Sequence, residues 1–412
     1  MHRSIRLLVV VVGLALAAAA CENGSSSDSG NGGDSVDTAD LTGAPVKLHV
    51  IVDGGGDTGL ELSRVGDAAQ VAADAVNADG GVQDSPVEIT LCEAGFDPNA
   101  AAGCARDAVD DGATAVVGAF TTSGDAYVPP LEEAGIPTVA PFAISFSEFS
   151  SEFSYPIIGG APATTAGMGA QLADGDAERI NVSFLDIAEG AQAGVLLQEG
   201  LTPRGLEIFS ETPVPVETPD LSSVIADATD GSDSVALVLS EDDAPRWIQQ
   251  ASEQGVDQTI ASTSAAITPD AASTLGASAE GVLVTSNFIP ITESDDPGVE
   301  NFLAEVDEYD SDLVIDDGSM NGWAGVHVIA DVLADATGDV SDPATLISAL
   351  GTATNVETGI TPPLDFATPP EPIFGGAISR LFNPDVLYAV IEGGEIVLTT
   401  DEPEFINPFV AP

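Results

Sequence analysis

The stretch "VKLHVIVDGGGDTGLELSRVGDAAQVAADAVNADGG", residues 46–81, joins an apolar run to an amphipathic one through a glycine-rich turn. The apolar run predicts a buried strand. The amphipathic run places Val65, Ala69 and Ala72 at helical spacing and stops at glycine. Another apolar run, "VEITLCE", follows at residues 87–93. The order strand, helix, strand predicts a parallel sheet covered by helices.

The alternation continues beyond these elements. Strands are predicted at 113–120 and 136–141, and the helix between them is expected to be broken or started late by Pro129 and Pro130. The pattern then starts again after residue 180. Two successive α/β runs predict an α/β fold with two lobes.

The second run carries five predicted strands, three helices between them, three later helices and a final hairpin. The strands are expected at "INVSFLDI" (180–187), "LEIFS" (206–210), "SVALVLS" (234–240), "QTIAST" (258–263) and "EGVLVTSNF" (280–288). The helices are expected near 187–199, 219–228, 243–254, 297–308, 319–336 and 342–351, and the hairpin at 386–400 with its turn at Gly393 and Gly394.

Acidic residues dominate the charge of the chain. The 412 residues include 67 Asp and Glu against 9 Lys and Arg, which gives a formal net charge of −58. Such a surface repels nucleic acid and anionic lipid, so neither is expected as a partner. Two interpretations remain open: solvation in a salty environment, where salt screens the self-repulsion, or a surface that attracts cationic ligands.

The amino terminus has the features of a targeting segment. Residues 1–20 carry basic residues, then the apolar run "LLVVVVGLAL", then small residues that end at Cys21. This order resembles a bacterial lipobox, which implies cleavage before Cys21 and a lipid on its sulfur; the alternative is a plain secretory signal. Residues 21–44 are rich in Gly, Ser and Asp and predict a flexible tether. We therefore expect an extracytoplasmic protein that is lipid-anchored to the cell membrane.

The two remaining cysteines, Cys92 and Cys104, would meet an oxidising compartment after export. A disulfide is the default expectation for such a pair, and it would contribute about 3 kcal/mol through loop-closure entropy.

The turn at residues 53–59 has the G-x-G-x-x-G spacing of dinucleotide-binding loops. Asp57 stands where a phosphate would sit at the start of the helix, and the chain has few basic residues to hold phosphate groups. We therefore expect a turn that lines a cleft and no cofactor; the alternative is a plain tight turn.

Enzyme signatures are missing from the sequence. Neither G-x-S-x-G nor H-E-x-x-H occurs, and His49 and His327 lie in predicted core elements, where a packing role is expected. The acidic stretch "DEYDSDLVIDDG", residues 307–318, lacks the spacing of a calcium loop and predicts a solvated face. We expect no catalytic residue, no metal site and no enzyme activity.

Four stretches together resemble the periplasmic binding proteins of the leucine/isoleucine/valine type, the receptor components of ABC importers. They are "GDAAQVAADAVNADGGV" (66–82), "ATAVVGAFTTSGDAYVPPLEEAGIPTVAPFAIS" (113–145), "RINVSFLDIAEGAQAG" (179–194) and "NGWAGVHVIADVLADA" (321–336). The resemblance covers most of residues 46–400.

The resemblance implies two Rossmann-like lobes with parallel sheets, joined by a three-strand hinge and closing on a ligand. It places lobe 1 at 45–158 and 285–380, and lobe 2 at 159–284 and 381–412. It also matches the Cys92–Cys104 pair to a disulfide that occurs in members of this family.

The resemblance further implies a ligand site in the loops after two strands of lobe 1. Hydroxyls and free N–H groups at a helix start suit a carboxylate or carbonyl oxygen; the alternative is that these hydroxyls only cap the helix. In the second lobe, Glu189 replaces a Tyr of the family, and the position of an amine-binding Glu falls near Ser264, so Glu189 or Asp186 is a candidate for the charge that contacts the amine. The implied ligand-binding residues are Thr121, Thr122, Ser123, Phe142, Ala143, Ile144, Ser145, Glu189 and Ser264.

The function implied by the resemblance is that of an ABC-importer receptor, which binds an amino-acid-like or amide-like solute and delivers it to a membrane permease. A small acid or another polar metabolite stays open as the ligand. The alternative function is a ligand-sensing receptor that signals to a partner protein.

Overall fold

Two β-sheets, each covered by helices on both faces, form the two lobes of the molecule. A computed structural model describes residues 36, 38–54, 62–187, 190–216, 218–368, 370–371 and 373–412. Cys21, Glu189 and most of the glycine-rich turn therefore lie outside the described residues.

The first part of the chain builds a five-stranded sheet. Its strands are β1 (Val46–Val52), β2 (Val87–Glu93), β3 (Ala115–Val117), β4 (Thr138–Val139) and β5 (Ser154–Tyr155). The helices that follow them in turn are α1 (Arg64–Ala78), α2 (Pro98–Asp111), α3 (Gly124–Ala134) and α4 (Phe146–Ser150). All strand pairs are parallel, in the order β2-β1-β3-β4-β5.

The chain then crosses to the second lobe. This lobe begins with α5 (Gly160–Asp174) and continues with β6 (Ile180–Leu185), α6 (Ala193–Leu201), β7 (Ser210–Val214), α7 (Ser222–Thr229), β8 (Ser234–Val238), α8 (Asp243–Gln254), β9 (Thr259–Thr263), α9 (Pro269–Leu275) and β10 (Leu283–Ser286). Strands β6 to β10 pair in parallel.

Two further crossings complete the fold. The chain returns to the first lobe in α10 (Pro297–Tyr309), α11 (Asp317–Ala334) and α12 (Pro343–Leu350), and then enters the second sheet as β11 (Val386–Glu392), β12 (Glu395–Leu398) and β13 (Phe405–Ile406). The second sheet has the order β12-β11-β10-β9-β8-β6-β7, with β13 beside β11. The predicted two-lobe α/β fold with three connections is confirmed.

The strands of lobe 1 are apolar because helices bury both faces of the sheet. Successive residues of β1 point to opposite faces, so Val50 packs with Phe302 and Trp323 of the late helices, whereas Ile51 packs with Tyr127 of α3. The late helices thus belong to the core of lobe 1 despite their distance along the chain.

Strand β2 is an edge of the lobe 1 sheet and is tied covalently to α2. The Cys92 and Cys104 sulfurs form a disulfide with the Cα atoms 5.8 Å apart, so the predicted bond is confirmed. One edge of β2 pairs with β1, and several β2 side chains are exposed.

A predicted strand and a predicted helix feature differ from the structure. The predicted strand 206–210 is wrong, because Leu206 and Ile208 cover the core around α6 and the strand β7 starts at Ser210. Pro213 lies inside β7, which is tolerated because β7 is an edge strand.

Helix α3 is neither broken nor late, and it runs from Gly124 through both prolines. Pro129 is exposed and Pro130 half-buried, so the carbonyls that lose a helical partner can bond to water.

Candidate functional site

The carboxyl ends of the strands in both lobes meet at a cavity of about 410 Å³, which we call the interlobe cavity. Ligands of parallel α/β sheets bind at this end of the strands. The lining side chains are mostly apolar and include Leu62, Phe120, Phe142 and Ile144 of lobe 1 and Leu185, Leu196, Val238 and Leu239 of lobe 2.

The hydroxyls at the start of α3 are already bonded to a carboxylate of the protein. The Asp53 side chain, buried just after β1, accepts from the Thr121 hydroxyl at 2.7 Å. The same carboxylate accepts from the backbone N–H of Thr122 at 2.7 Å and from its hydroxyl at 2.8 Å. Thr121 and Thr122 therefore line the interlobe cavity, but their donors face Asp53.

The loop after β4 divides between the cavity and the core. Phe142 and Ile144 line the interlobe cavity. Ala143 is buried in a small cluster behind it, and Ser145 donates to the Glu148 carboxylate from both its N–H and its hydroxyl, each at 2.8 Å.

Glu148 is an unpredicted anchor for this loop. It also accepts from Ile144 N–H at 3.0 Å and from the Tyr127 hydroxyl at 2.8 Å, and its side chain is fully buried. Burial raises the pKa of Glu148, and these hydrogen bonds oppose the rise. The polar groups of Ser145 hold the loop in shape and do not line the cavity.

Ser123 also lies behind the cavity wall. It is buried, and its N–H donates to the Thr121 hydroxyl at 3.0 Å. Asp186, which was a candidate for a ligand charge, is exposed and does not line the cavity.

Two stacked phenyl rings form part of the apolar wall of the cavity. Phe120 and Phe142 stack with their centroids 4.3 Å apart. A Cβ atom added to Gly318 would come within 3.2 Å of the Phe120 ring, so this ring lies against the start of α11, next to Asp317.

Arg64 joins the lobes from the start of α1. Its Nε donates to the Asp316 carboxylate of lobe 1, and its Nη2 lies 2.9 Å from Oε2 of Glu241, which follows β8 in lobe 2. The guanidinium and the Asp316 side chain are largely buried. This ionic contact bridges the lobes across the interlobe cavity.

A second contact between the lobes lies nearby. The Ser264 hydroxyl, after β9, donates to Asp317 Oδ2 at 2.6 Å, and Asn287 Nδ2 donates to the same oxygen at 3.4 Å. The pKa of Asp317 is raised to about 6, chiefly by burial; the neighbouring Asp316 contributes to the rise, and the two hydrogen bonds oppose it. The predicted residue Ser264 thus acts on Asp317.

The sequence predicts that the acidic stretch 307–318 is a solvated face. This prediction is wrong for Asp316 and Asp317, at the end of the stretch. Asp316 and Asp317 are only 5% and 7% exposed. Asp316 caps α11 by accepting from Ser319 N–H at 2.8 Å, which starts this helix two residues before the predicted position. Their place directly before a long apolar helix was the available signal.

A second cavity of about 320 Å³, which we call the hinge cavity, lies on the other side of these carboxylates. Asp316 and Asp317 line both cavities. The remaining wall of the hinge cavity is largely apolar and includes Phe288, Ile289, Ile291, Ile315, Met320 and Ile396.

His49 and His327 have packing roles in this structure. His49 is buried in β1 with Nε2 3.2 Å from an Asp111 oxygen, and His327 Nε2 lies 2.9 Å from a Glu305 oxygen. Among the residues that the structure describes, no helix combines the length and apolar character needed to cross a membrane.

Two α/β lobes that share a cavity and touch through paired side chains define a solute-binding protein that closes by a hinge. The sequence matches the family described as periplasmic binding protein over residues 45–372, and the chain belongs to that family. It is accordingly an extracytoplasmic binding protein and not an enzyme.

Solved structures share the fold at low sequence identity. A fatty acid ABC transporter substrate-binding protein from Thermomonospora curvata has a TM-score of 0.73 and 18% identity, over 89% of this chain and 94% of that chain. A leucine-binding protein from Thermotoga maritima has a TM-score of 0.68 and 18% identity, over 88% and 99%. A solute-binding protein from R. palustris in complex with benzoate has a TM-score of 0.69 and 13% identity, over 88% and 98%. Their ligands differ, so the fold does not identify the ligand here.

A comparison of the sequence with curated proteins finds no match.

Proposed function

We propose that this chain is the receptor of an ABC importer and captures a small solute in the interlobe cavity. The cavity supports this proposal because its walls come from both lobes, so one occupant contacts both. A ligand that binds the closed arrangement better than the open one shifts the population toward closure. The closed form then docks on a membrane permease.

The ligand of this proposal has an apolar body, such as an apolar amino acid or its amide. The cavity volume of about 410 Å³ falls in the range of small-molecule sites. The stacked rings of Phe120 and Phe142 offer a flat apolar surface for such a body.

The predicted site residues take different parts in this proposal. Thr121, Thr122, Phe142 and Ile144 form the lobe 1 wall, and Ser264 acts through Asp317. Ser123, Ala143 and Ser145 support that wall from behind, and Glu189 is a further ligand-binding candidate.

The proposal includes a lipid anchor and a division of the chain. Cleavage before Cys21 and acylation of its sulfur would hold the protein outside the membrane, with the rest of the predicted 21–44 segment as a tether. Lobe 1 would span 45–158 and 285–380, and lobe 2 would span 159–284 and 381–412.

A thermal-shift screen tests the binding function on the compact unit Ser35–Pro412 in high salt. The panel contains amino acids, amides, short acids and amines. A ligand at 100 times its Kd stabilises the native state by about 2.7 kcal/mol, so the melting temperature rises. We expect at least one compound to give a clear shift.

A matched pair of variants locates the site. Ala265→Trp fills the interlobe cavity and should abolish the shift, whereas Ala226→Trp adds the same ring to the exposed face of α7 and should keep it. A panel without any active compound, or a shift that survives Ala265→Trp, would contradict the proposed function.

A further inference from the structure

The polar lining of the interlobe cavity is dominated by carboxylates. Asp53, Glu241, Asp316 and Asp317 face it, and Arg64 is the one basic side chain among the described residues that line it. That guanidinium is already shared by Asp316 and Glu241. Exposed carboxylates of this acidic chain can serve solvation. Buried carboxylates cannot, so those in the cavity need a different explanation.

The donors of Thr121 and Thr122, just before α3, are not free to bind a ligand carboxylate. The three donors that Thr121 and Thr122 present there are bonded to Asp53, at 2.7–2.8 Å. An incoming carboxylate would compete with this buried charge and be repelled by it. The charge of the cavity lining therefore disfavours the binding of an anionic ligand.

Asp317 is the carboxylate with the weakest compensation. It accepts from the neutral groups of Ser264 and Asn287, and its only charged neighbour on the same helix start is Asp316. Asn287 Oδ1 is buried and has no hydrogen-bond partner among the described residues. Within the part of the chain that the structure describes, Asp317 therefore has no cationic partner, and it is the one of these two residues that lines the interlobe cavity.

An apolar surface lies directly beside Asp317. The Phe120 ring contacts the start of α11 at Gly318, and it stacks on Phe142. A protonated amine beside Asp317 would keep its hydrocarbon body on these rings, and the ring faces attract a cation.

We propose that the solute carries a protonated amine and no free carboxylate, and that Asp317 binds the amine while Phe120 and Phe142 contact the apolar body. This inference rests on the proposed function and names its ligand class: apolar amines, including amides of apolar amino acids. An ammonium group supplies the charge that compensates Asp317, and it reduces the excess negative charge of the cavity lining.

Calorimetric titration of one hydrocarbon body with different head groups tests this class. The probes are 3-methylbutylamine, leucinamide, leucine, 4-methylpentanoate and 3-methylbutanol, with the 2-phenylethyl series as a second body. We expect the amine and the amide to bind at least tenfold more tightly than the zwitterion, the acid and the alcohol. Tighter binding of the acid or of leucine would overturn the inference and leave the proposed function standing.

A matched pair of variants tests the residue. Asp317→Asn keeps the shape of the side chain and should weaken amine binding at least tenfold. Asp331→Asn removes another carboxylate of α11, which lies outside both cavities, and should leave the affinity unchanged. An unchanged affinity in Asp317→Asn would overturn the assignment.

The head-group series on the unaltered protein decides the ligand class even if a variant fails to fold. Absence of binding by every head group on both bodies would overturn the inference. In that case the wider thermal-shift panel shows whether the proposed function fails as well.

Discussion

The Arg64 contact and the Asp317 contact, which both join the lobes, differ in their charge balance. In the first, Arg64 lies between Asp316 and Glu241, so charges of opposite sign compensate each other. In the second, Asp317 meets Ser264 and Asn287, which carry no charge. Asp316 and Asp317 are adjacent in sequence and equally buried, so burial alone does not set how a carboxylate behaves in this cavity.

This difference indicates separate roles. The buried Arg64 contact, in which opposite charges compensate each other, positions the lobes. An uncompensated carboxylate destabilises the empty closed form and gains most when a cation arrives. The Arg64 contact therefore holds the lobes together, whereas the neighbouring Asp317 contact is stabilised when a cation binds.

Removal of Arg64 should have the largest effect. Arg64→Met deletes the charge while keeping the length of the side chain, which leaves Asp316 buried without its counterion. Breaking a buried pair in this way costs about 3–5 kcal/mol. Urea unfolding monitored by circular dichroism measures this loss.

The matched control for this variant is Arg179→Ala. Arg179 and Asp233 form an exposed pair at 3.8 Å, for which a loss below about 1 kcal/mol is expected. Equal losses in the two variants would show that the Arg64 contact is no stronger than a surface pair.

The response to pH should separate Asp317 from its neighbour. The pKa of Asp317 in the folded state is about 6, against an ordinary value of 3.8, so the folded state binds the proton more tightly. Its contribution to stability is fully present below pH 4 and is lost as the pH rises through 6. Since one pKa unit is worth about 1.4 kcal/mol, the loss is on the order of 3 kcal/mol.

Asp317→Asn measures this contribution, because the asparagine does not titrate. We expect the free energy of unfolding of the variant to rise relative to that of the unaltered protein as the pH increases from 4 to 7.5, at constant high salt. The difference between the two proteins removes the effect of the other acids, Glu148 among them. Parallel pH profiles would refute the assignment of an uncompensated charge to Asp317.

The Ser264 hydroxyl should make the smallest contribution of the three. Ser264→Ala removes a hydrogen bond to a charged group, and about 1.5–3 kcal/mol is typical for such a bond. We expect the low end of that range, because Asn287 still donates to Asp317, together with a further rise in the pKa of Asp317.

Ser262→Ala is the control for this change. Its hydroxyl is buried in β9 and has no hydrogen-bond partner among the described residues, so its removal should be nearly neutral. A loss in Ser262→Ala as large as in Ser264→Ala would assign the effect to packing.

The fold was predictable because burial leaves a local pattern. Strands covered on both faces become apolar runs, and helix α8 appears at its predicted position because polar and apolar residues alternate with the helical period. The loops that carry Thr121, Thr122, Phe142 and Ile144 could be placed at the carboxyl edge of the sheet, since they follow strands β3 and β4.

The charged part of the site was not predictable from local patterns. Arg64 lies 252 residues from Asp316 and 177 from Glu241, so only the packing of the lobes brings them together. In a chain with 67 acidic residues, the few that are buried carry no distinctive spacing. The occupation of the α3 start by Asp53 likewise depends on the pairing of β1 with β3.

The covalently tied edge strand β2 has a consequence for self-association. An open strand edge is a template for pairing with another copy of the chain. Here the exposed side chains of β2 include Glu88 and Glu93, and the disulfide anchors its end to α2. If the β2 edges of two copies paired, their glutamates would repel each other, and the disulfide would restrict the end of each strand. We therefore expect β2 to resist the edge-to-edge pairing that begins fibre formation.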